Sequence, residues 1–411
     1  MEKLPLMTET GLASTIRPTA LAAMFESSRT LRQLATYRGA LTPRELDAPE
    51  AETEALARGA AVHDLGWLRR VSVRGEDRFR WLSGMVTNTV NDLFPNTGAW
   101  NFVLNAQGRI QGDLTVWRGG EELSPRLRKT EVASHARGPG GDRLLGTPFA
   151  GESGLELEIA ADQFDKLLAH LNRFIVMDDV ELVPLGIESP GEAGSETAVG
   201  VTGPLAGEVL ERLGLPVFAQ AMTGTTVEWN GMGLRMVRGY GALAPHYQLW
   251  APSAGLPLLW SALRTAGATP VGAVSWNAFR VAEGIPLYGI DIAERDLPQE
   301  TSQLRALHFN KGCYLGQEIV ERIRSRGAVH RHLRPVELAG PAPPPGTELR
   351  MEDGSAGGEV TSAAELPLPG QRAVFALAML RAEAETGEQR FTYAAGQSTG
   401  TARILERPPN L

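Results

Sequence analysis

Lys311-Gly312-Cys313-Tyr314-Leu315-Gly316-Gln317-Glu318 is the stretch on which this chain turns, and its Cys313 is the only cysteine in 411 residues. A lone thiol in a globular chain is commonly buried as a small hydrophobe. Here its neighbours argue for chemistry instead. Lys311 and Arg322 bring positive charge, and Gly316 through Ile323 reads as a helix start with Glu318 in its first turn. A thiol just before a helix N-terminus and beside a lysine feels positive potential, which favours the thiolate. Gly312 and Gly316 bracket the site and let backbone approach a ligand closely.

Outward from that motif, bulk properties bound the function. A chain of 411 residues with 43% hydrophobic content supports two or three domains. A net charge of −8 argues against a nucleic-acid binder held by its overall field. One cysteine forbids an intramolecular disulfide and fits a reducing compartment. The first twenty residues lack the pattern of a signal or transit segment, and no run reaches membrane-spanning length. The expectation is a cytoplasmic protein with no membrane association.

Residues 1–60 lean helical and are expected to form an N-terminal extension. From Ala61 strands and helices alternate. Val71-Ser72-Val73 reads as a strand, and Phe79, Leu82 and Val86 share one helix face. Asn101–Leu104 and Leu114–Trp117 form a strand pair across the turn Asn105–Gly108. Residues 121–155 lack apolar period and are expected to be a disordered insertion, with a basic nucleic-acid arm as the sharper alternative. Strand 155–159, helix 163–171 and strand 180–183 follow, then helices at 204–213 and 257–266. This alternation predicts an α+β fold with two ferredoxin-like halves, 61–185 and 186–333. Pro341–Gly346 and the short apolar runs after it predict a small β-barrel over 334–411.

Other residues carry chemistry by type. Arg280, near the end of a helix opened by Ser275, is either a surface charge or a fork for a carboxylate. Asp113 enters a strand from a turn, where capping is the commoner use. Asn88 suits a heterocycle contact or a structural amide equally. His308, Cys313, His330 and His332 match no closed zinc pattern, so no metal site is expected. Arg322, Arg324, Arg326 and Arg331 form a basic series whose alternation is strand-like and whose usual fate is a solvated face.

Taken together, these segments resemble the YgfZ-type folate-binding proteins, whose signature is K-G-C-[FY]-x-G-Q-E. These are relatives of the glycine-cleavage T-protein, an aminomethyltransferase. The supporting segments are Val73–Asn88, Asn105–Leu114 and Arg280–Asp291. The resemblance implies two folate-binding halves around a central channel, with tetrahydrofolate or a derivative as cofactor. It also implies partners among iron–sulfur cluster proteins or assembly factors and tRNA-modification enzymes. On that reading Cys313, Lys311 and Asp113 are the working residues. Asn88, Asn105, Tyr240, Arg280 and Glu283 contact folate, while Gly312, Tyr314, Gly316, Gln317 and Glu318 build the motif. Two features depart from the T-protein pattern. Gly112 stands where that protein has the first of two adjacent aspartates, and Ala242–Pro245 offers no carboxylate where it reads the pterin. The competing reading is a folate-dependent one-carbon transferase using Asp113.

Overall fold

The computed structural model describes residues 16–27, 33–120, 154–186, 195–327, 329–386 and 390–411. The insertion at 121–155 therefore lies outside the described residues except for its last two, and Leu155 already opens a buried strand. The chain starts with β1 (Arg17–Pro18), α1 (Ala20–Ser27), β2 (Leu34–Tyr37), β3 (Ala40–Pro43) and α2 (Pro49–Arg58). The segment expected to be helical thus contains a three-stranded sheet, in the order β1-β3-β2. Its strands are two to four residues long, too short to show a period beside the Ala- and Glu-rich helices. Arg38 and Gly39 form the β2–β3 turn with φ of 48° and 81°. Such a two-residue turn needs left-handed backbone at both positions. A Cβ at Gly39 would stand 2.6 Å from the Asp162 amide nitrogen, so the hairpin tip packs directly on the main body.

Two α+β halves follow. The first holds β4 (Ala61–Asp64), β5 (Leu68–Arg74), α3 (Arg78–Met85), β6 (Thr97–Leu104), β7 (Ile110–Arg118), β8 (Leu155–Ala160), α4 (Phe164–Asn172) and β9 (Glu181–Leu185). The second holds β10 (Glu196–Thr202), α5 (Ala206–Arg212), β11 (Thr223–Trp229), β12 (Met232–Arg238), β13 (His246–Pro252), α6 (Leu256–Thr265), β14 (Thr269–Val271) and α7 (Ala273–Ala282). All their strands join one eleven-stranded sheet, ordered β14-β4-β10-β13-β12-β11-β6-β7-β8-β5-β9. β6 of the first half and β11 of the second meet at a single pairing, Thr97 with Thr223. β4, though it belongs to the first half by sequence, pairs with β10 and β14 of the second.

The two-residue period of each strand then sorts its side chains. On β7 and β8, Leu114, Val116, Leu155, Leu157 and Ile159 pack beneath α3 and α4 with Trp81, Leu82, Leu167 and Leu171. The opposite face carries Asp113, Thr115, Trp117 and Glu158, which with His246 and Gln248 of β13 line a shared cavity. The second half buries its own core, Val199, Val209, Leu249, Leu259 and Trp260 among others.

After α8 (Gln317–Arg326) comes β15 (Arg331–Ala339), then β16 (Glu348–Arg350), β17 (Ala356–Leu368), β18 (Gln371–Arg381), β19 (Arg390–Ala395) and β20 (Ser398–Ile404). They close into the expected barrel, ordered β15-β18-β17-β16-β19-β20. The barrel docks through Leu366, Leu368 and Phe375 on Leu56 of α2 and Phe279 and Val281 of α7. Arg322–Arg326, with its strand-like alternation, continues the expected helix as part of α8.

Candidate functional site

The cysteine motif is a clamp with its thiol on the outside. Tyr314 is buried with Phe102, Leu104, Ile110 and Val320, and burial pushes its phenol up to about 12. The Leu315 amide donates to the Gly84 carbonyl at 2.9 Å, and the Gln317 amide to that of Tyr314 at 3.1 Å. Gly316 caps α8 at φ 82°. A Cβ there would stand 2.6 Å from the Asn105 carbonyl oxygen, so only glycine lets the motif lie on the β6–β7 turn. Lys311 Nζ donates to the Val86 and Asn88 carbonyls at 2.7 and 2.6 Å. Burial lowers its ammonium to about 7. Glu318 is exposed and pairs with Arg322 one turn on at 2.9 Å. Cys313 itself is exposed, which removes the small-hydrophobe reading.

The cavity between the halves has a volume of about 200 Å³. Six aromatic residues line it: Tyr37, Trp67, Trp100, Trp117, Tyr240 and Trp276. Asp113 is held at its wall, with Oδ2 accepting from Trp100 Nε1 at 2.8 Å and Oδ1 from Gln163 Nε2 at 2.8 Å. Gln163 returns the contact by accepting the Asp113 amide at 3.0 Å. At Gly112, a Cβ would meet that Gln163 oxygen and a Leu167 methyl at 2.7 Å, so a second aspartate there would have to displace both side chains. Arg305 stacks on Tyr240, 3.6 Å from the ring centroid, and on Trp100 at 4.6 Å. Burial lowers its guanidinium to about 10. A flat ring with polar edges and an anionic tail suits such walls.

The structure brings Asp113, Tyr240 and Arg280 to this cavity, whereas Cys313 and Lys311 lie outside its lining. Arg280 has all three nitrogens engaged, by Asn277, Ile285, Asp291 at 2.5 Å and Ser362. It bolts α7 to the barrel, so its fork is already occupied. Asn88 spends its amide on the Trp100 and Arg305 carbonyls and on the Thr89 amide, which makes it the structural amide of the two alternatives. Asn105 accepts the Gln107 and Arg109 amides within its own turn. Glu283 accepts the Leu243 amide at 3.0 Å, and burial raises its carboxyl to about 7. Asn88, Asn105 and Glu283 are not among the residues that line the cavity.

Sequence reading missed Arg38, Glu158, Gln163 and Arg305, which all line the cavity. Arg38 and Gln163 come from loops with no motif. Glu158 alternates with apolar residues in the strand Leu155–Ile159, and a charge on that period was the available signal. Among the described residues no three His, Cys, Asp or Glu groups are placed to hold a metal ion. His332 pairs with Glu385 at 2.6 Å. No helix among the described residues is long and apolar enough to cross a membrane.

Comparison with known proteins agrees with this architecture. Residues 17–124 match the family described as the GCVT N-terminal domain. The fold matches the crystal structure of glycine cleavage system aminomethyltransferase T from Bartonella henselae, with a TM-score of 0.77 and 16% identity over 96% of this chain and 98% of that one. An aminomethyltransferase of Rubrobacter xylanophilus is 26% identical over 79% of this chain and 77% of its own length. A chloroplastic Arabidopsis thaliana protein bearing a provisional transferase name is 24% identical over 77% of this chain, an alignment spanning 64% of that relative. A mitochondrial iron-sulfur cluster assembly factor IBA57 homologue of Pyricularia oryzae is 25% identical over 66% of this chain and 55% of its own length.

Proposed function

We propose that this chain binds a reduced folate in the central cavity and acts as an accessory factor in iron–sulfur cluster assembly or repair, with Cys313 as its working thiol. The observation that carries the reading is the separation of two features. An aromatic cavity with a fixed carboxylate lies between the halves, while the chain's single thiol is displayed on a rigid surface loop. That loop packs on the same β6–β7 turn that leads into Asp113, so ligand and thiol share one structural support. The likeness to the cluster assembly factor homologue supports this reading.

One thiolate cannot hold a cluster that asks for about four protein ligands, so a client protein or small thiol completes the coordination. The exposure of Cys313 suits such a shared site. Lys311 holds the loop through its two carbonyl bonds and sets where the thiol stands. Support for cluster-dependent tRNA modification is the downstream form of the same role.

The second reading is folate-dependent aminomethyl transfer, favoured by Asp113 facing the cavity and by the aminomethyltransferase relatives. Asp113 would orient the folate nitrogen and stabilise positive charge there. Purified protein supplied with tetrahydrofolate and an aminomethylated lipoyl carrier separates the two. Turnover that survives Cys313→Ser and stops with Asp113→Asn establishes the transferase. No turnover, with loss of cluster-dependent enzyme activity in a deletion strain complemented by Cys313→Ser, supports the accessory role.

A further inference from the structure

Glu156 and Glu158 stand two residues apart on β8 and are both buried, yet they are compensated very differently. Glu156 receives the Arg70 guanidinium in a bidentate grip at 2.7 to 3.0 Å and lies 3.4 Å from Arg235. Arg70 also reaches Glu196 at 2.5 Å. Glu158 accepts hydrogen bonds from two neutral donors. Its Oε1 accepts from Gln248 Nε2 at 3.1 Å and its Oε2 from Trp117 Nε1 at 3.3 Å. Burial raises the group and outweighs Arg235 and Arg70, which both sit near enough to favour the carboxylate. A buried carboxylate is costly unless strong donors meet it, and two long neutral bonds leave lone pairs on both oxygens unmet. Glu158 belongs to the wall of the aromatic cavity, whereas Glu156 is outside its lining.

We infer that Glu158 is the residue that selects the ring system, its carboxylate accepting the paired N–H donors on the amino-pyrimidinone edge of a flat heterocycle in the cavity. This rests on the folate-binding reading. A carboxylate matches two neighbouring N–H groups in the way it matches a guanidinium fork. It also meets a need the sequence left open, since the 242–245 loop offers no acid. In this chain the acid comes instead from β8 of the first half, backed by Gln248 of β13 in the second. The ring would therefore be read across the seam between the halves.

The test compares two fragments, 6-methyltetrahydropterin and its 2-oxo counterpart, a tetrahydrolumazine, which replaces the amino donor by a carbonyl. The full chain is titrated with each, and with tetrahydrofolate. Wild type is expected to prefer the amino ring by roughly 10- to 100-fold, the scale of one charge-assisted bond. Glu158→Gln, which offers a donor of its own, should bring the two within about threefold. Glu158→Asp keeps the charge but withdraws it by one methylene. It should also lose most of the preference, and it serves if the glutamine variant fails to fold. Folded variants that keep the wild-type preference overturn the inference while leaving the folate reading intact. Failure of wild type to bind tetrahydrofolate removes the folate reading and this inference with it.

Discussion

At the scale of single residues, exposure and engagement decide role. Cys313 is exposed and joins no buried cluster, so Cys313→Ser should change stability by less than about 0.5 kcal/mol in thermal or denaturant melts. A larger loss would mark the thiol as structural. Arg280 predicts the reverse. It is buried against Asp291, and Asp291 also accepts from Thr361, Ser362 and the Leu287 amide. Arg280→Ala leaves that carboxylate buried without its cation and should cost about 3–5 kcal/mol in denaturant unfolding. Glu283 gives a pH signature. Its carboxyl is raised from 4.5 to about 7 by burial, so the folded state holds a proton that the unfolded chain has released. Its contribution is complete below about pH 4.5 and is lost as pH rises through about 7. Melts of wild type against Glu283→Gln should therefore diverge over that window by up to about 3 kcal/mol, with the variant gaining as pH rises.

At the scale of elements, sequence was clear where period or turn chemistry was strong. α4 announced itself by Phe164, Leu167, Leu168 and Leu171 on one face, and Leu167 and Leu171 are buried. The start of α8 followed from Gly316 and Glu318. Its far end carried two signals, since Arg322-Ile323-Arg324 alternates locally while the helix spacing of Ile319, Val320 and Ile323 governs the fold. The N-terminal hairpin was invisible for a different reason. Tyr37-Arg38-Gly39-Ala40 places arginine where asparagine or glycine is favoured, so the usual turn signal was absent. Arg38 is held there by Asp162 at 3.1 Å and the Tyr288 carbonyl at 2.9 Å, contacts far away in sequence. Arg38→Asn at this turn tests that balance. The backbone is relieved while the ion pair is lost, and the expected net change is destabilisation by about 1–3 kcal/mol in denaturant melts. A stabilised variant would show that turn strain outweighs the ion pair.

At the scale of the whole molecule, the two halves and the barrel were legible because each has its own strand and helix rhythm. Their union into one sheet was not, because it depends on a single pairing between Thr97 and Thr223 and on β4 crossing to the second half. For the same reason the motif was readable and the cavity was not. The motif is contiguous, while the cavity draws on Tyr37, Asp113, Glu158, Gln248, Trp276 and Arg305, which only the fold assembles. The central claim is that this assembled space holds a reduced folate. Calorimetric titration of the full chain with tetrahydrofolate tests it most directly, beside Thr115→Phe, which places a ring inside the cavity. The account predicts saturable binding of one folate per chain that Thr115→Phe abolishes, with the Cys313 loop unaltered in native alkylation rate. No heat at millimolar tetrahydrofolate, or undiminished binding by Thr115→Phe, would contradict it.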